Sequence, residues 1–308
     1  MYWANTERAS TQRTIIRVFD YQQFHHRQDL RIIAANIMDP ASNHRFMPIK
    51  QREPTMSNYH LYGIGAALVD TEIEVSDADL ATLNIEKGIM TLVDEARQGE
   101  IIQQLSKHLV ASKRASGGSA ANTVIAASQF GANSFYSCKV SDDENGDFYL
   151  KDLKLAGVDY NQDVARENGV TGKCLVMITP DAERSMNTFL GISETISSAE
   201  LHMDAAASSE YVYLEGYQVT SDSGRQATIA LRQHAEARGV KTAMSLSDPA
   251  MVEFFRAGLQ EMIGDKVNLL FCNEQEAMGF TETNTLEAAA VALQSHAHSF
   301  AITLGAKG

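Results

Sequence analysis

The chain has 308 residues, of which 44% are hydrophobic and 21% are charged, and its formal net charge is −13. This length is sufficient for one large α/β domain or two smaller ones. The acidic balance argues against nucleic acid as a partner, because phosphate backbones are bound by clustered Lys and Arg, and no apolar run is long enough to span a membrane.

Residues 1–55 differ in composition from the rest of the chain. They carry a net charge of +3, against −16 for the remainder, and contain the only tryptophan and three of the five prolines. A shift of this kind marks a boundary. Two interpretations stay open: a basic docking or targeting arm, or upstream sequence before a native start at Met56. Under both interpretations, residues 1–55 form an extension outside the fold, and residues 56–308 form the folded domain.

The apolar pattern from residue 56 predicts short strands and amphipathic helices. In chain order these are strands at Tyr59–Ile64 and 71–75, a helix at 118–130, a strand at 134–140 and a helix at Glu144–Leu155. Two further strands, 174–179 and 185–190, flank a Pro-Asp-Ala-Glu turn. Because Pro and Asp are strong turn formers, this arrangement predicts a hairpin.

The second half of the chain has a regular alternation of strands and helices. Strands are predicted at 211–214, 241–246, 268–271 and 300–304, with helices at 222–238, Pro249–Ile263 and 286–298. Alternation of this kind indicates βαβ units and a mostly parallel sheet covered on both faces, beside a small separate β element from the earlier strands. Ligands of such sheets bind at the carboxyl ends of the strands.

Two glycine-containing segments are candidates for binding a small-molecule ligand. Asp70 follows a Gly-Ile-Gly turn, and its carboxylate can accept hydrogen bonds from paired hydroxyls. Gly117 and Gly118 open a predicted helix, where bare backbone lets a ligand approach, and Asn122 lies one turn further on. An ordinary turn and a glycine-capped core helix would have the same residues. Neither segment matches a dinucleotide or Walker loop.

Other candidates follow later strands. Asn273 and Glu276 lie on one face of a helix's first turn, where their oxygens suit Mg²⁺ through water, or where they form an N-cap and capping box; both can hold at once. Arg184 follows an acidic turn and either binds a phosphate or pairs with nearby acids. Thr303 and Gly305 end the last predicted strand, where a hydroxyl and a bare glycine can contact a nucleotide.

The order of these motifs resembles the ribokinase-like (PfkB) family of carbohydrate and nucleoside kinases. The match begins with Gly-x-Gly-x-x-x-x-Asp ending at Asp70, followed by Gly-Gly-Ser-Ala-Ala-Asn ending at Asn122. It continues through segments 138–158, 179–184, 245–249, 273–276 and 303–305. The resemblance covers about 58–308 and is closest to the bacterial adenosine-kinase-like branch.

This resemblance implies a ribokinase-like α/β/α sandwich with lid strands around 66–76 and 172–190. It implies transfer of the γ-phosphoryl of ATP, with Mg²⁺, to a primary hydroxyl of a nucleoside or sugar; adenosine is favoured, and ribose or fructose is the alternative. The residues implied are Asp70, Gly117, Gly118, Asn122 and Arg184 for the acceptor, Asn273, Thr303 and Gly305 for ATP, and Glu276, with Asn273, for the metal through water.

The partners expected are small molecules, with neither nucleic acid nor membrane, for a monomer or homodimer. The three cysteines are far apart, which argues against a zinc site, and they fit a reduced, cytoplasmic protein, as does the lack of an apolar leader.

Two departures from the family pattern affect the expected activity. Ala66 stands where adenosine kinases usually have Asn, which removes a polar contact. The family's Gly-Ala-Gly-Asp motif, which supplies amides for the γ-phosphate and the catalytic Asp, is absent, and we expect it beyond Gly308 in a longer protein. We therefore expect this chain to be an inactive, incomplete kinase domain with no catalytic residue of its own. A non-catalytic binding protein is the contrasting hypothesis.

Overall fold

Two β-sheets organise the computed structural model, which describes residues 2–5, 58–107, 113–305 and 308. The strands are β1 (Tyr2–Asn5), β2 (Tyr59–Ile64), β3 (Leu68–Glu74), β4 (Met90–Leu92), β5 (Lys113–Gly117), β6 (Ser134–Ser137), β7 (Val158–Tyr160), β8 (Gly172–Ile178), β9 (Arg184–Phe189), β10 (Ser209–Glu215), β11 (Lys241–Ser245), β12 (Val267–Asn273) and β13 (Ala297–Thr303). The helices are α1 (Asp77–Thr82), α2 (Glu95–Gln104), α3 (Ser119–Gln129), α4 (Glu144–Leu155), α5 (Met203–Ala207), α6 (Asp222–Glu236), α7 (Pro249–Ile263), α8 (Glu274–Thr281) and α9 (Leu286–Leu293).

The larger sheet has the strand order β1-β13-β12-β11-β10-β2-β6-β7. Every neighbouring pair is parallel except β1 with β13. One face packs on α5 to α9 around fully buried Leu214, Met244 and Leu270. The other face packs on α3 and α4 around Val124 and Tyr149. The predicted mostly parallel sheet with helices on both faces is therefore confirmed.

The smaller sheet has the order β4-β9-β8-β3-β5. Strands β8 and β9 pair antiparallel across the Pro-Asp-Ala-Glu turn, which confirms the predicted hairpin. Helices α1 and α2 cover one face through a separate apolar cluster that includes Leu80, Ile101 and Met177. With that face covered, the opposite face is the one available to form a cavity with the central sheet.

The largest error in the predicted elements lies near the end of the chain. The helix predicted over 286–298 ends at Leu293, and β13 begins at Ala297. Backbone bonds from Ser295 to Ala292 and from His296 to Leu293 form a turn between them. Ala297 is buried because it pairs with β12 in the sheet. In an Ala-rich stretch, an alanine of the helix cannot be distinguished by sequence from an alanine of the buried strand, so the boundary between them was missed.

Residues 1–55 were expected to lie outside the fold, and part of this segment belongs to the larger sheet. Residues 2–5 form β1, which pairs antiparallel with β13 at one edge of the larger sheet. Residues 6–57 lie outside the described residues, so the boundary expected at Met56 stays a prediction. In the part of the chain that the structure describes, no helix has the length and apolar character needed to cross a membrane.

Candidate active site

The parallel strands bring several candidate site residues to one edge of the larger sheet. Thr303 and Asn273 are direct register partners at the ends of β13 and β12. Asp248 follows the next strand, β11, and caps α7. Glu215 ends β10, and Gly65 follows β2, which pairs with β10. This arrangement follows from the topology, because the carboxyl ends of parallel strands meet on one side of the sheet.

A cavity of about 210 Å³ lies between this edge and the smaller sheet. Its polar end contains Asp70, Ser119 and Glu215, together with the backbone of Gly118. Its apolar wall consists of Leu68, Met90, Leu92 and Met186, which like Asp70 belong to the smaller sheet, and of Leu190, which directly follows β9. A ligand that fills it therefore needs one end rich in hydroxyls and one apolar face.

Asp70 lies directly against the glycine pair. A Cβ added to Gly117 would lie 2.1 Å from Oδ1 of Asp70, so no side chain fits there. Gly118 has φ +102°, and a Cβ there would lie 2.4 Å from the carbonyl oxygen of Ala66. Burial raises the pKa of Asp70 to about 7; the charge of Glu72 adds to this rise, and that of Arg184 opposes it.

Three predicted acceptor residues are not part of the cavity lining: Gly117, which packs against Asp70, and Asn122 and Arg184. Arg184, at the start of β9, is half exposed and forms a 3.6 Å ion pair with Glu72. It acts on Asp70 through its charge. Asn122 is exposed on the first turn of α3. The structure therefore brings Asp70, Gly117 and Gly118 together and leaves Arg184 and Asn122 outside the cavity lining.

Glu215 is a site residue that the sequence motifs did not indicate. Its side chain is buried, and Oε1 accepts hydrogen bonds from Ser119 Oγ at 2.6 Å and from the Ala120 amide at 3.0 Å. Oε2 accepts from the Ala66 amide and from Gln218 Nε2, both at 2.8 Å. The carboxylate thus occupies the start of α3, so a phosphate cannot bind those amides. Its position directly after an apolar strand was the one available signal.

Two buried tyrosines hold the same backbone from the side away from the cavity. The Tyr136 hydroxyl donates to the carbonyl of Ala66 at 2.9 Å, and the Tyr149 hydroxyl donates to that of Gly117 at 3.0 Å. Burial raises the pKa of both phenols well above the usual range, so both remain donors. A Cβ on Gly65 would lie 2.6 Å from the Tyr136 hydroxyl, which explains the glycine there.

Asn273 and Glu276 form the capping box that their spacing allowed. The Asn273 side chain accepts from the Glu276 amide at 2.8 Å, and Glu276 Oε2 accepts from the Asn273 amide at 2.9 Å. Glu276 is only 5% exposed, and burial raises its pKa to about 7, with a further rise from the charge of Asp248. The capping role is confirmed, and the role with Mg²⁺ stays a prediction.

Tyr217 connects this group to the cavity. Its ring lines the cavity, and its hydroxyl lies 3.5 Å from Oδ2 of Asp248, the residue whose charge acts on Glu276. Thr303 and Gly305 are exposed beyond Asn273 on the same edge. Asp70, Gly117 and Gly118 therefore form one group beside the cavity, and Asn273, Glu276, Thr303 and Gly305 form a second group at the carboxyl ends of β12 and β13.

Comparison with known proteins decides the family. Residues 92–308 match the sequence pattern of a family described as "pfkB family carbohydrate kinase". The chain belongs to the pfkB family. The chain is 31% identical to the adenosine kinase of Sinorhizobium meliloti, with a TM-score of 0.73, and the match covers 80% of this chain and 74% of that one. For a probable sugar kinase from Rhizobium etli the identity is 28%, the TM-score 0.74 and the coverage 81% and 74%.

A curated plant relative gives the same assignment. Adenosine kinase 1 of Arabidopsis thaliana is 26% identical over 240 residues, which are 74% of this chain and 66% of that protein. The pfkB-family chain thus spans about two thirds of that relative's length. The predicted family and ribokinase-like fold are confirmed, and membership in a kinase family implies the use of ATP.

The donor set of this pfkB kinase limits how a metal can bind. Within the described ranges, no group of three or more His, Cys, Asp and Glu side chains could hold a metal ion. Glu276 retains lone pairs beyond those used in the capping box, because a carboxylate offers about four acceptor positions. This fits an ion such as Mg²⁺, which keeps most of its waters and takes few protein ligands.

Proposed function

We propose that this pfkB-family chain has the acceptor site of a nucleoside kinase, with adenosine favoured; enzymes of this class move the γ-phosphoryl of ATP to a primary hydroxyl. The observation that carries the proposal is the cavity lining, which combines the carboxylate of Asp70 with an apolar wall of Leu68, Met90, Leu92, Met186 and Leu190. Ribose hydroxyls match the carboxylate, and a flat base matches the wall. A free ribose or fructose would leave the wall without contact.

On the acceptor side, each residue has a separate role. Asp70 accepts hydrogen bonds from the paired ribose hydroxyls, which favours its ionised form. Gly117 leaves room for that carboxylate, and Gly118 offers bare backbone to the sugar. Asn122 and Arg184 act on the acceptor only if the smaller sheet and the edge of α3 come closer together on binding.

On the nucleotide side, Asn273, Thr303 and Gly305 bind ATP at the second group. Asn273 and Glu276 would hold Mg²⁺ through water, and the ion would neutralise charge on the phosphates during transfer. Burial raises the pKa of Glu276 to about 7. A nearby cation would lower this pKa again, because an opposite charge favours the ionised carboxylate.

The 308-residue chain is proposed to bind its acceptor without turning over. Its sequence contains no Gly-Ala-Gly-Asp motif. The carboxylate of Glu215 accepts four hydrogen bonds and has no free position for a substrate proton. Loss of a general base typically lowers a rate by about 10²–10⁴-fold. An ADP-release assay with adenosine and Mg·ATP tests this, and turnover near about 10 s⁻¹ would contradict it.

Two surface variants test the acceptor assignment. Leu92 lines the cavity and is 47% exposed, whereas Ile89 on the same segment is 42% exposed and is not part of the lining. We expect Leu92→Ser to weaken adenosine binding by about fivefold, since partial loss of an apolar contact costs about 1 kcal/mol. Ile89→Ser is the matched control, with unchanged affinity.

The alternative is a ribose- or fructose-type sugar kinase, which Ala66 favours because it adds no polar contact for a base. Calorimetric titrations with adenosine and ribose separate the two. If Leu92→Ser leaves adenosine affinity unchanged, or lowers ribose affinity equally, the apolar wall does not bind a base and the nucleoside assignment is wrong.

A further inference from the structure

We propose that Glu215 is a positioning residue of the acceptor site, which holds the turn at Ala66 and the start of α3 in a fixed relation. The proposal rests on the proposed function, because acceptor binding is what makes this relation matter. It differs from a ligand-binding role, since Glu215 would act through backbone that contacts the acceptor.

The first argument is the distance along the chain between the parts that Glu215 joins. The hydrogen bond to the Ala66 amide spans 149 residues, and the one to the Ala120 amide spans 95. Ala66 belongs to the turn between β2 and β3, Ala120 to α3, and Glu215 to the end of β10. One buried carboxylate therefore ties three separate elements at the polar end of the cavity.

The second argument is the close approach of the two backbones that it ties. A Cβ on Gly118 would lie 2.4 Å from the Ala66 carbonyl oxygen. The same carbonyl accepts from the Tyr136 hydroxyl. A small shift of either segment therefore moves Gly118 within the cavity, and with it Gly117 and the carboxylate of Asp70 that packs against it.

The third argument is that the carboxylate is fully used. Its four donors are Ser119 Oγ, the amides of Ala66 and Ala120, and Gln218 Nε2. An ionised carboxylate has about four acceptor positions. Its charge also lies at the positive end of α3, where an anion is stabilised. A glutamine has one acceptor oxygen, so its NH₂ group would face one of the two backbone amides.

The test begins without any ligand. Amide hydrogen exchange is measured on the full chain for the wild type and for Glu215→Gln. We expect exchange at Ala66 and Ala120 to rise at least tenfold, while amides in β12 keep their rates. Unchanged rates at both positions would overturn the proposal, whatever the acceptor proves to be.

The second readout is adenosine affinity, measured by calorimetry alongside urea unfolding. We expect Glu215→Gln to weaken adenosine binding at least tenfold. The matched control is Glu200→Gln, which alters another buried carboxylate, one that accepts from the Ser197 amide at 2.7 Å away from the acceptor cavity. It should lose stability and keep its affinity. Affinity loss in both variants, in step with stability, would mean that Glu215 is merely structural.

A milder variant covers the case in which Glu215→Gln does not fold. Tyr136→Phe removes one hydrogen bond to the Ala66 carbonyl and adds no atoms. We expect faster exchange at Ala66 and a smaller loss of adenosine affinity; no change in either contradicts the proposal. A wild type that binds no nucleoside sinks the proposed function, and the exchange rates still decide the role of Glu215.

Discussion

Replacement of Asp70 by Asn tests the acceptor site through both affinity and pH. The substitution keeps the shape of the side chain and removes its charge, so the space beside Gly117 remains filled. A hydrogen bond to a charged group contributes about 1.5–3 kcal/mol. We therefore expect adenosine to bind about 10–100-fold more weakly to Asp70→Asn at pH 8.

The pH dependence follows from the raised pKa. Burial places the pKa of Asp70 at about 7 in the free protein, and hydroxyl donors favour its ionised form. The ionised fraction falls about tenfold between pH 8 and pH 6, so wild-type affinity should fall about tenfold over the same range. Asp70→Asn should show no such fall, although Glu276, which titrates in the same range, is retained.

Calorimetric titrations with adenosine at pH 6, 7 and 8 measure both effects in one series. The reasoning is refuted if the wild type binds equally at all three pH values, or if Asp70→Asn matches the wild type at pH 8. A pH dependence that persists in Asp70→Asn would assign the titration to another group.

Three further perturbations have defined outcomes. Gly117→Ala places a Cβ 2.1 Å from Asp70 Oδ1 and should weaken adenosine binding at least about 100-fold, whereas Gly99→Ala, which meets nothing within 4 Å, should leave calorimetric affinity unchanged. Because burial raises the pKa of Glu276 from 4.5 to about 7, the folded state retains a proton that the unfolded state has lost in this window. The free energy of unfolding should therefore fall as pH rises from 4.5 to 7, by up to about 1.4 kcal/mol per unit, and Glu276→Gln should flatten the fall in urea titrations; an identical slope contradicts this. A chain that starts at Met56 should keep its melting temperature, and a clear loss would show that β1 stabilises the sheet.

The sequence predicted the parallel core well because buried strands and amphipathic helices carry strong patterns. Glu144–Leu155 and Pro249–Ile263 were placed at their observed bounds, since acidic caps or proline open them and a glycine follows each. The smaller sheet was harder to predict. Its strands β4 and β5 are short and mostly exposed, and their pairing depends on neighbours that are distant in sequence.

The candidate site was predicted where function depends on local motifs. Asp70, Gly117 and Gly118 could be predicted because the turn before Asp70 and the glycine pair are each recognisable in the sequence. Glu215 had only its place at the end of an apolar strand as a signal, because its role comes from two partners at 95 and 149 residues' separation. Asn122 is exposed on α3 and Arg184 pairs with Glu72, and no local pattern encodes either placement.

The most direct test of the central claim compares adenosine with ribose on the unmodified 308-residue chain. Both offer hydroxyls to Asp70, and only adenosine carries a base for the apolar wall. We predict at least tenfold tighter binding of adenosine by calorimetry, because burying apolar base surface contributes roughly 25 cal/mol per Å². Equal affinities, tighter binding of ribose, or no binding of either would contradict the account.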